Sequence, residues 1–585
     1  MSFVRVASLV LFGAVFTAPA FNFTYNSAGY PQHWNFNPAD ASVSTNVLNR
    51  TTRALRYYIA ADAYSATNTA RELNAVRNAC GQWQAVPNSI VKFEDAGLVA
   101  PGYDVNTSDN TNVIYWAKSS TLVGGGLTDI SGSLGATFAT FSLPSNSLQQ
   151  FDIVINGVQK QWFTDYNDPS NPGYFIEGTV VHELGHALGL RHSGAGGVTM
   201  LYVGTTGVDT IAGLSADEVA FARTLYPSNN ILSTLGHLRG TVTKNNVGVL
   251  GAVVVAESTN GTLAGSTVTL TNGSYSLNAL PPGGYNVRVV PLDPATNSTW
   301  LIQPPDIDTP AFDAADTTFL PTANTAVTLT AGATNTLNLS VTSGTPAFRI
   351  GYLRAPTTDA GYYTATPYPV TMSPGQSNYT IGVFSETLPT NGAAFSISGD
   401  GLTLGAPTYQ PGNVFVGLNG ISVAISVASN ATPGLRSFVI QKGADRAYAN
   451  GYLEILPKVP DYNFDGLDDT FQRKYFFPFT QTNAAPNADP DQDKFTNAQE
   501  NIAGTVPTNS ASFLKLSGVV RSGSGTTVSW VSATNHRYQL LARTNGSAGA
   551  WFNVGGVVTA TNASAATLDT TATNGLRVYK VQALP

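Results

Sequence analysis

Three of the six histidines in this chain of 585 residues fall within eleven positions, in the run His182-Glu183-Leu184-Gly185-His186-Ala187-Leu188-Gly189-Leu190-Arg191-His192. Residues four apart share one face of a helix, so His182 and His186 can present two imidazoles to one ion with Glu183 leaning over the same point. The helix must then stop, because His192 joins the pair only if the chain turns back. Gly189 can enter a left-handed turn without a Cβ penalty. Three neutral imidazoles and one open position describe a catalytic zinc site, whereas structural zinc sites are closed by four protein ligands, usually with cysteine among them. The chain has one cysteine. An ordinary core helix built on Val180, Val181, Leu184, Ala187, Leu188 and Leu190 explains the apolar spacing, but neither the third histidine nor the segment that comes after it.

Met200 stands eight residues past His192, in Val198-Thr199-Met200-Leu201-Tyr202. On these residues the segment resembles the metzincin metallopeptidases, whose zinc helix is followed by a methionine-bearing turn beneath the metal. The resemblance implies His182, His186 and His192 as zinc ligands, Glu183 as general base, Gly189 as the turn and Met200 as the turn methionine. Within that clan the flanks are similar to those of matrixins: Trp162-Phe163-Thr164-Asp165 and Thr179-Val180-Val181 before the motif, Leu214-Ser215-Ala216-Asp217-Glu218 and Leu225-Tyr226-Pro227 after it. Matrixins usually place tyrosine directly after the methionine; here Leu201 intervenes, as in astacin-like and serralysin-like enzymes. Tyr202 therefore either reaches the metal or the oxyanion, or its ring is core packing.

The implied activity is that of a secreted zinc endopeptidase acting on extracellular proteins. Zinc lowers the pKa of its water towards about 7, and Glu183 takes the proton and later passes it to the leaving amine. The competing reading is a surface-binding or adhesive protein whose metzincin domain is secondary. Residues 1–20 carry Arg5, an apolar stretch from Val6 to Phe16 and Ala18-Pro19-Ala20, the pattern of a secretory signal of bacterial type. That core is too short to span a bilayer, and no later segment is long and apolar enough to do so. Charged residues are 11% of the chain, against roughly 25% in ordinary globular proteins, which points to short strands and turns. A formal charge of -7 without basic runs argues against nucleic-acid partners. Protein or peptide substrates, a cell-surface or matrix polymer for the accessory modules, and a monomeric state are the expectations.

The lone cysteine, Cys80, raises the idea of a propeptide thiol on the zinc, but Leu73, Val76, Cys80 and Trp83 recur at helical spacing and favour core packing. The expected architecture is multidomain: an α+β metzincin catalytic domain at 21–228, with a twisted mixed sheet plus the zinc helix, then all-β sandwich modules and a calcium-loop segment. In the head, strands are predicted at Leu55–Ile59, Ile90–Phe93, Val113–Trp116 and Phe151–Ile155, with a helix over 67–85. The family resemblance implies that Phe151–Ile155 forms the sheet edge above the cleft. An exposed edge can pair with an extended peptide through main-chain hydrogen bonds.

Beyond 228 the periodicity alternates. Residues 236–343 resemble a carboxypeptidase-regulatory-like β-sandwich, and 344–458 are consistent with an immunoglobulin-like one. Such modules either bind a surface or space the enzyme from it. Residues 459–512 hold two candidate calcium loops. The first has Asp461, Asn463, Asp465, Gly466 and Asp469 but Gln472 at position twelve; the second has Asp489, Asp491, Asp493, the Phe495 carbonyl, Asn497 and Glu500 but Lys494 in place of the turn glycine. Together they resemble the paired loops of dockerin-like and thrombospondin-type-3 modules. A last β-domain, 513–585, has Trp530, Tyr538, Leu540, Trp551, Val578 and Tyr579 as its predicted core; His33, His237 and His536 read as packing or surface residues.

Overall fold

The computed structural model describes residues 31–37, 43–142, 146–208, 212–292, 312, 314–358, 365–412, 417–544, 549–572 and 576–585. The expected export signal at 1–20 lies outside them. In chain order the head contains β1 (Leu48–Asn49), β2 (Ala54–Ala60), α1 (Thr69–Ala85), β3 (Phe93–Val99), β4 (Val113–Ala117), a hairpin of β5 (Leu122–Val123) and β6 (Thr128–Asp129), β7 (Gly135–Ser142) and β8 (Ser147–Asn156). After them come the short pair β9 (Trp162–Phe163) and β10 (Tyr174–Phe175), then α2 (Ile176–Ala187) and α3 (Ala216–Leu225).

Strands β3, β2, β4 and β8 lie side by side and parallel, while β7 returns antiparallel to β8. The sheet edge is therefore β7, not the Phe151–Ile155 run, which is paired on both sides. Its composition explains why: β8 is buried continuously from Gln150 to Asn156, as a strand covered on both faces must be, whereas β7 is half-exposed along most of its length. The predicted strand at Ile90–Phe93 is also displaced, because Ile90 donates its N–H to the Tyr226 carbonyl and Val91 is buried as loop. Pairing with β2 begins only at Phe93.

The apolar spacing of α1 does what it predicts: Leu73, Val76, Cys80 and Trp83 are all buried. Trp83 Nε1 donates to the Val181 carbonyl at 2.9 Å, and Asn78 and Gln82 donate to the Glu177 carboxylate at 2.9 and 2.5 Å, so α1 clasps α2 through polar bonds as well as packing. Burial pushes the Cys80 thiol well up, and it sits against Tyr57 as a small protonated core residue.

The described residues up to Lys458 form one compact unit, and those from Val459 on form a second. After α3 the first unit builds two pairs of sheets. In 236–343 one sheet centres on Gly236–Lys244 and the other runs in the order Leu263–Val268, Ala252–Ser258, Gly283–Pro291, Thr325–Leu329. In 344–458 one sheet centres on Tyr379–Ser385 and Asn419–Val427, the other on Gly434–Lys442 and Asp445–Ile455. The second unit holds helices Asp469–Tyr475 and Asn497–Ala503 and two three-stranded sheets around Val528, Trp530, Tyr538, Leu540 and Val554. Trp551 is not part of that core. It stays partly exposed with Arg543 and Lys580 over its ring at 4.7 and 4.6 Å, an amphipathic use of an indole at a surface. His33, His237 and His536 each bond to a backbone carbonyl, of Pro31, Leu232 and Ile502 respectively. Among the described residues no helix is long and apolar enough to cross a membrane.

Candidate metal centre

Helix α2 buries Val180, Val181, Leu184 and Ala187 completely, which turns His182 and His186 together towards the other side. The helix ends where the sequence requires. Gly189 has φ +103°, and a Cβ there would stand 2.5 Å from the Gln32 carbonyl oxygen, so no other residue fits without displacing the N-terminal segment. The reversal brings His192 back. His182 Nε2 and His192 Nε2 lie 3.3 Å apart, and the three imidazole rings sit at centroid separations of 4.9, 5.2 and 4.9 Å.

This donor set fits zinc. A tetrahedral ion with bonds of about 2.0–2.1 Å holds its nitrogens roughly 3.3 Å apart. One ligand atom from each histidine lies within 4.8 Å of the other two. His182 Nδ1 is 2.7 Å from the Thr199 carbonyl and His186 Nδ1 is 2.9 Å from the Leu190 carbonyl, so each Nδ1–H is donated to backbone and each Nε2 lone pair is left for the metal. Burial, reinforced by a neighbouring histidine, pushes both His182 and His186 down to about 3, which keeps them neutral.

Met200 lies beneath α2, fully buried, and a Cβ on Gly185 would meet its sulfur at 2.4 Å. The turn around it is pinned by Glu218, whose Oε1 accepts the Met200 N–H at 3.0 Å while Oε2 accepts the Ser215 N–H at 3.0 Å and closes the capping box of α3. Thr199 supplies the carbonyl for His182 and anchors its own hydroxyl on the Gly213 carbonyl at 2.7 Å.

Glu183 comes directly after the first ligand and faces the edge strand. Thr137, in β7, sets its hydroxyl 2.7 Å from Glu183 Oε2 and 2.9 Å from the Glu183 carbonyl, the carboxylate being the nearer acceptor, and Gly135 leaves the room Glu183 Oε1 needs, since a Cβ there would come within 2.8 Å. Neither Thr137 nor Gly135, nor the role of Glu218, stands out in the sequence. The Ser215-to-Glu218 spacing is a readable capping signal; an ordinary strand threonine gives none. Tyr202 is partly exposed, with its ring 6.4 Å from that of His192.

In the second unit, Asp489, Asp491 and Asp493 converge, with one oxygen from each within 4.8 Å of the others. Asn497 and Glu500 are 0% and 1% exposed. Asn497 donates its amide to the Asn483 and Ala485 carbonyls, both at 2.8 Å, and its Oδ1 has no hydrogen-bond partner; Glu500 Oε1 accepts the Thr505 hydroxyl at 3.0 Å, and Oε2 has none. Burial and the three aspartates push Glu500 up to about 7, a repulsion that a cation would relieve. Lys494, at the turn-glycine position, takes φ +81°, matching Gly466 at +82° in the first loop. That first loop is bonded differently. Gln472 donates to Asp465 at 2.8 Å and accepts from Asn463 at 3.1 Å, while Asp461 and Asp469 accept backbone N–H groups. Among the described residues, Asp461, Asp465 and Asp469 do not converge as the second set does.

Residues 49–227 match the family model of the matrixins, Peptidase_M10. With the histidine triad, this match supports a matrixin-like metzincin catalytic domain over that stretch and a zinc metallopeptidase. No curated protein matches the chain. Among solved structures, BcpA, the major pilin subunit of Bacillus cereus, is 10% identical over 57% of this chain and 85% of the pilin, with a TM-score of 0.13. A variant of that pilin is 11% identical over 60% and 87%, also at 0.13. A chimeric titin Z1Z2 tandem is 13% identical over 38% and 97%, at 0.10. Likenesses at such TM-scores carry no argument about this chain.

Proposed function

We propose that this protein is an exported zinc endopeptidase that cleaves extracellular proteins, with His182, His186 and His192 as ligands and Glu183 as general base. The observation that carries the reading is the convergence of three imidazoles, two of them with Nε2 atoms 3.3 Å apart and two held neutral by burial, beside a carboxylate on the same helix. Zinc, when bound, supplies a Lewis acid and an acidified water. Glu183 receives the proton of the attacking water and returns it to the departing amine. Its Oε2 bond to Thr137 holds the carboxylate in register for both transfers. An extended peptide pairs with the free side of β7, main chain to main chain, which admits many sequences. We assign Tyr202 the role of a donor towards the oxyanion, supported by its place beside His192.

Export is supported by the leader-like segment at 1–20. Calcium is assigned to Asp489, Asp491, Asp493, Asn497 and Glu500 on the strength of four buried oxygens without hydrogen-bond partners, Asp491 Oδ2, Asp493 Oδ2, Asn497 Oδ1 and Glu500 Oε2, in the loop where the aspartates converge.

Casein digestion tests the reading. Zinc-loaded wild type should clear casein, a chelator should abolish clearance, and Glu183→Ala should lower it by about 10²–10⁴-fold. Clearance that survives the substitution would contradict the assigned base. A zinc-loaded wild type with no activity would instead favour the adhesive-protein reading.

A further inference from the structure

The loop that carries the chain away from His192 is Ser193-Gly194-Ala195-Gly196-Gly197, a stretch with almost no side chain. The space those side chains would occupy is filled by the two sandwiches. A Cβ on Gly194 would stand 2.7 Å from Val253, one on Gly196 2.3 Å from the ring of Tyr452, and one on Gly197 2.4 Å from the Gly451 carbonyl. Ala195 and Val198, both fully buried, belong to one apolar cluster with Val253, Leu435 and Tyr448.

Polar bonds tie down the same loop. Gly196 donates its N–H to the Asn450 carbonyl at 2.7 Å. The Ser193 hydroxyl lies 3.1 Å from one oxygen of Asp217 and 2.8 Å from the Ser266 hydroxyl, and Ser266 donates its N–H to the other Asp217 oxygen at 2.8 Å. Asn450 is in turn fixed from behind by Arg288, which reaches its Oδ1 at 2.7 Å while holding Glu257 through two bonds of 2.7 Å. Both members of that ion pair are at most 2% exposed in their side chains. A glycine-rich loop has the greatest conformational freedom to lose, so an external wall is what can hold it in one shape.

We propose that the sandwiches of residues 236–458 are a positioning device for the metal site. Tyr452 and Asn450 fix the loop 193–197, and through it the His192 imidazole, so the working catalytic unit extends from the head to Lys458. This inference rests on the zinc reading above. It predicts that a defect at the wall is felt at the metal even though no sandwich residue is a ligand.

The test uses the full chain in four variants: Tyr452→Ala, Tyr452→Phe, Gly196→Ala, which drives a methyl into the Tyr452 ring, and Leu388→Ala, a core truncation in the same sandwich. The measurements are the rate of zinc release to a chelator, the visible spectrum of the cobalt(II)-substituted protein, and amide exchange of 193–201 in the metal-free state. Tyr452→Ala and Gly196→Ala should release zinc at least about tenfold faster, with an altered cobalt spectrum and faster exchange of the loop. Tyr452→Phe, which keeps the ring against Gly196 and loses only the hydroxyl that faces Tyr202, should hold zinc as wild type does, and Leu388→Ala should lower the melting temperature without touching the metal. Should Tyr452→Ala fail to fold, Gly196→Ala against Leu388→Ala carries the comparison. Wild-type release rates and spectra in both wall variants, or equal acceleration in Leu388→Ala, would overturn the proposal. A wild type that binds no zinc would refute the earlier reading instead.

Discussion

Glu183 shows how a residue named by a local motif still depends on distant partners. Its helix places it next to His182, but the carboxylate is aimed by Thr137, 46 positions earlier, and given room by Gly135. A hydrogen bond to a charged group contributes about 1.5–3 kcal/mol, and each 1.4 kcal/mol is tenfold in rate. Thr137→Val should therefore lower kcat for peptide cleavage roughly 10–100-fold while leaving KM near its wild-type value at equal zinc loading. A matching rise in KM would mean that Thr137 serves substrate binding instead. The motif can be read because its members are sequence neighbours on one helix. Thr137 cannot, because its hydroxyl acquires a role only when β7 is laid against α2.

Strand β8 is legible in the sequence as a strand but not in its position. Five consecutive residues of which four are apolar announce burial, yet say nothing about which strands lie on either side. The one polar member, Asp152, is 0% exposed and accepts bonds from the Tyr103 hydroxyl and from the N–H groups of Asn106 and Val113. Burial pushes its carboxyl up to about 7, above the value near 3.8 of the unfolded chain. The folded state then holds the proton more tightly, so this group's contribution to stability is complete below about pH 3.8, falls as pH rises, and is lost above about pH 7. Thermal unfolding followed across that range should show this component in wild type and not in Asp152→Asn. An unchanged slope in the variant would count against the shifted carboxyl.

The molecule as a whole divides at Lys458, and each unit has its own apolar core. Ligands that bind only the folded state stabilise the unit that holds them. Calcium added to metal-free protein should raise the melting temperature of the unit 459–585 and leave the larger unit unmoved, whereas zinc should do the reverse. Calorimetry would separate the two transitions, and a calcium response confined to the larger unit would sink the assignment of Asp489, Asp491, Asp493, Asn497 and Glu500. The acidic segment that begins at 459 marks this division in the sequence, whereas the alternating patterns from 228 to 458 suggest separate sandwiches rather than sandwiches seated on the head.

What can be read along the chain is whatever depends on neighbours in sequence: the helix that pairs His182 with His186, the glycine that breaks it, the methionine beyond it, and the spacing of acidic oxygens around a tight turn. These are short-range consequences of backbone geometry and survive without knowledge of the fold. Which strand becomes the edge, which hydroxyl steadies Glu183, and why 194, 196 and 197 are glycines depend on contacts between residues tens to hundreds of positions apart. A run of glycines records that something stands close by, but a missing side chain carries no trace of its neighbour, and only the packed chain shows that Val253, Gly451 and Tyr452 are there.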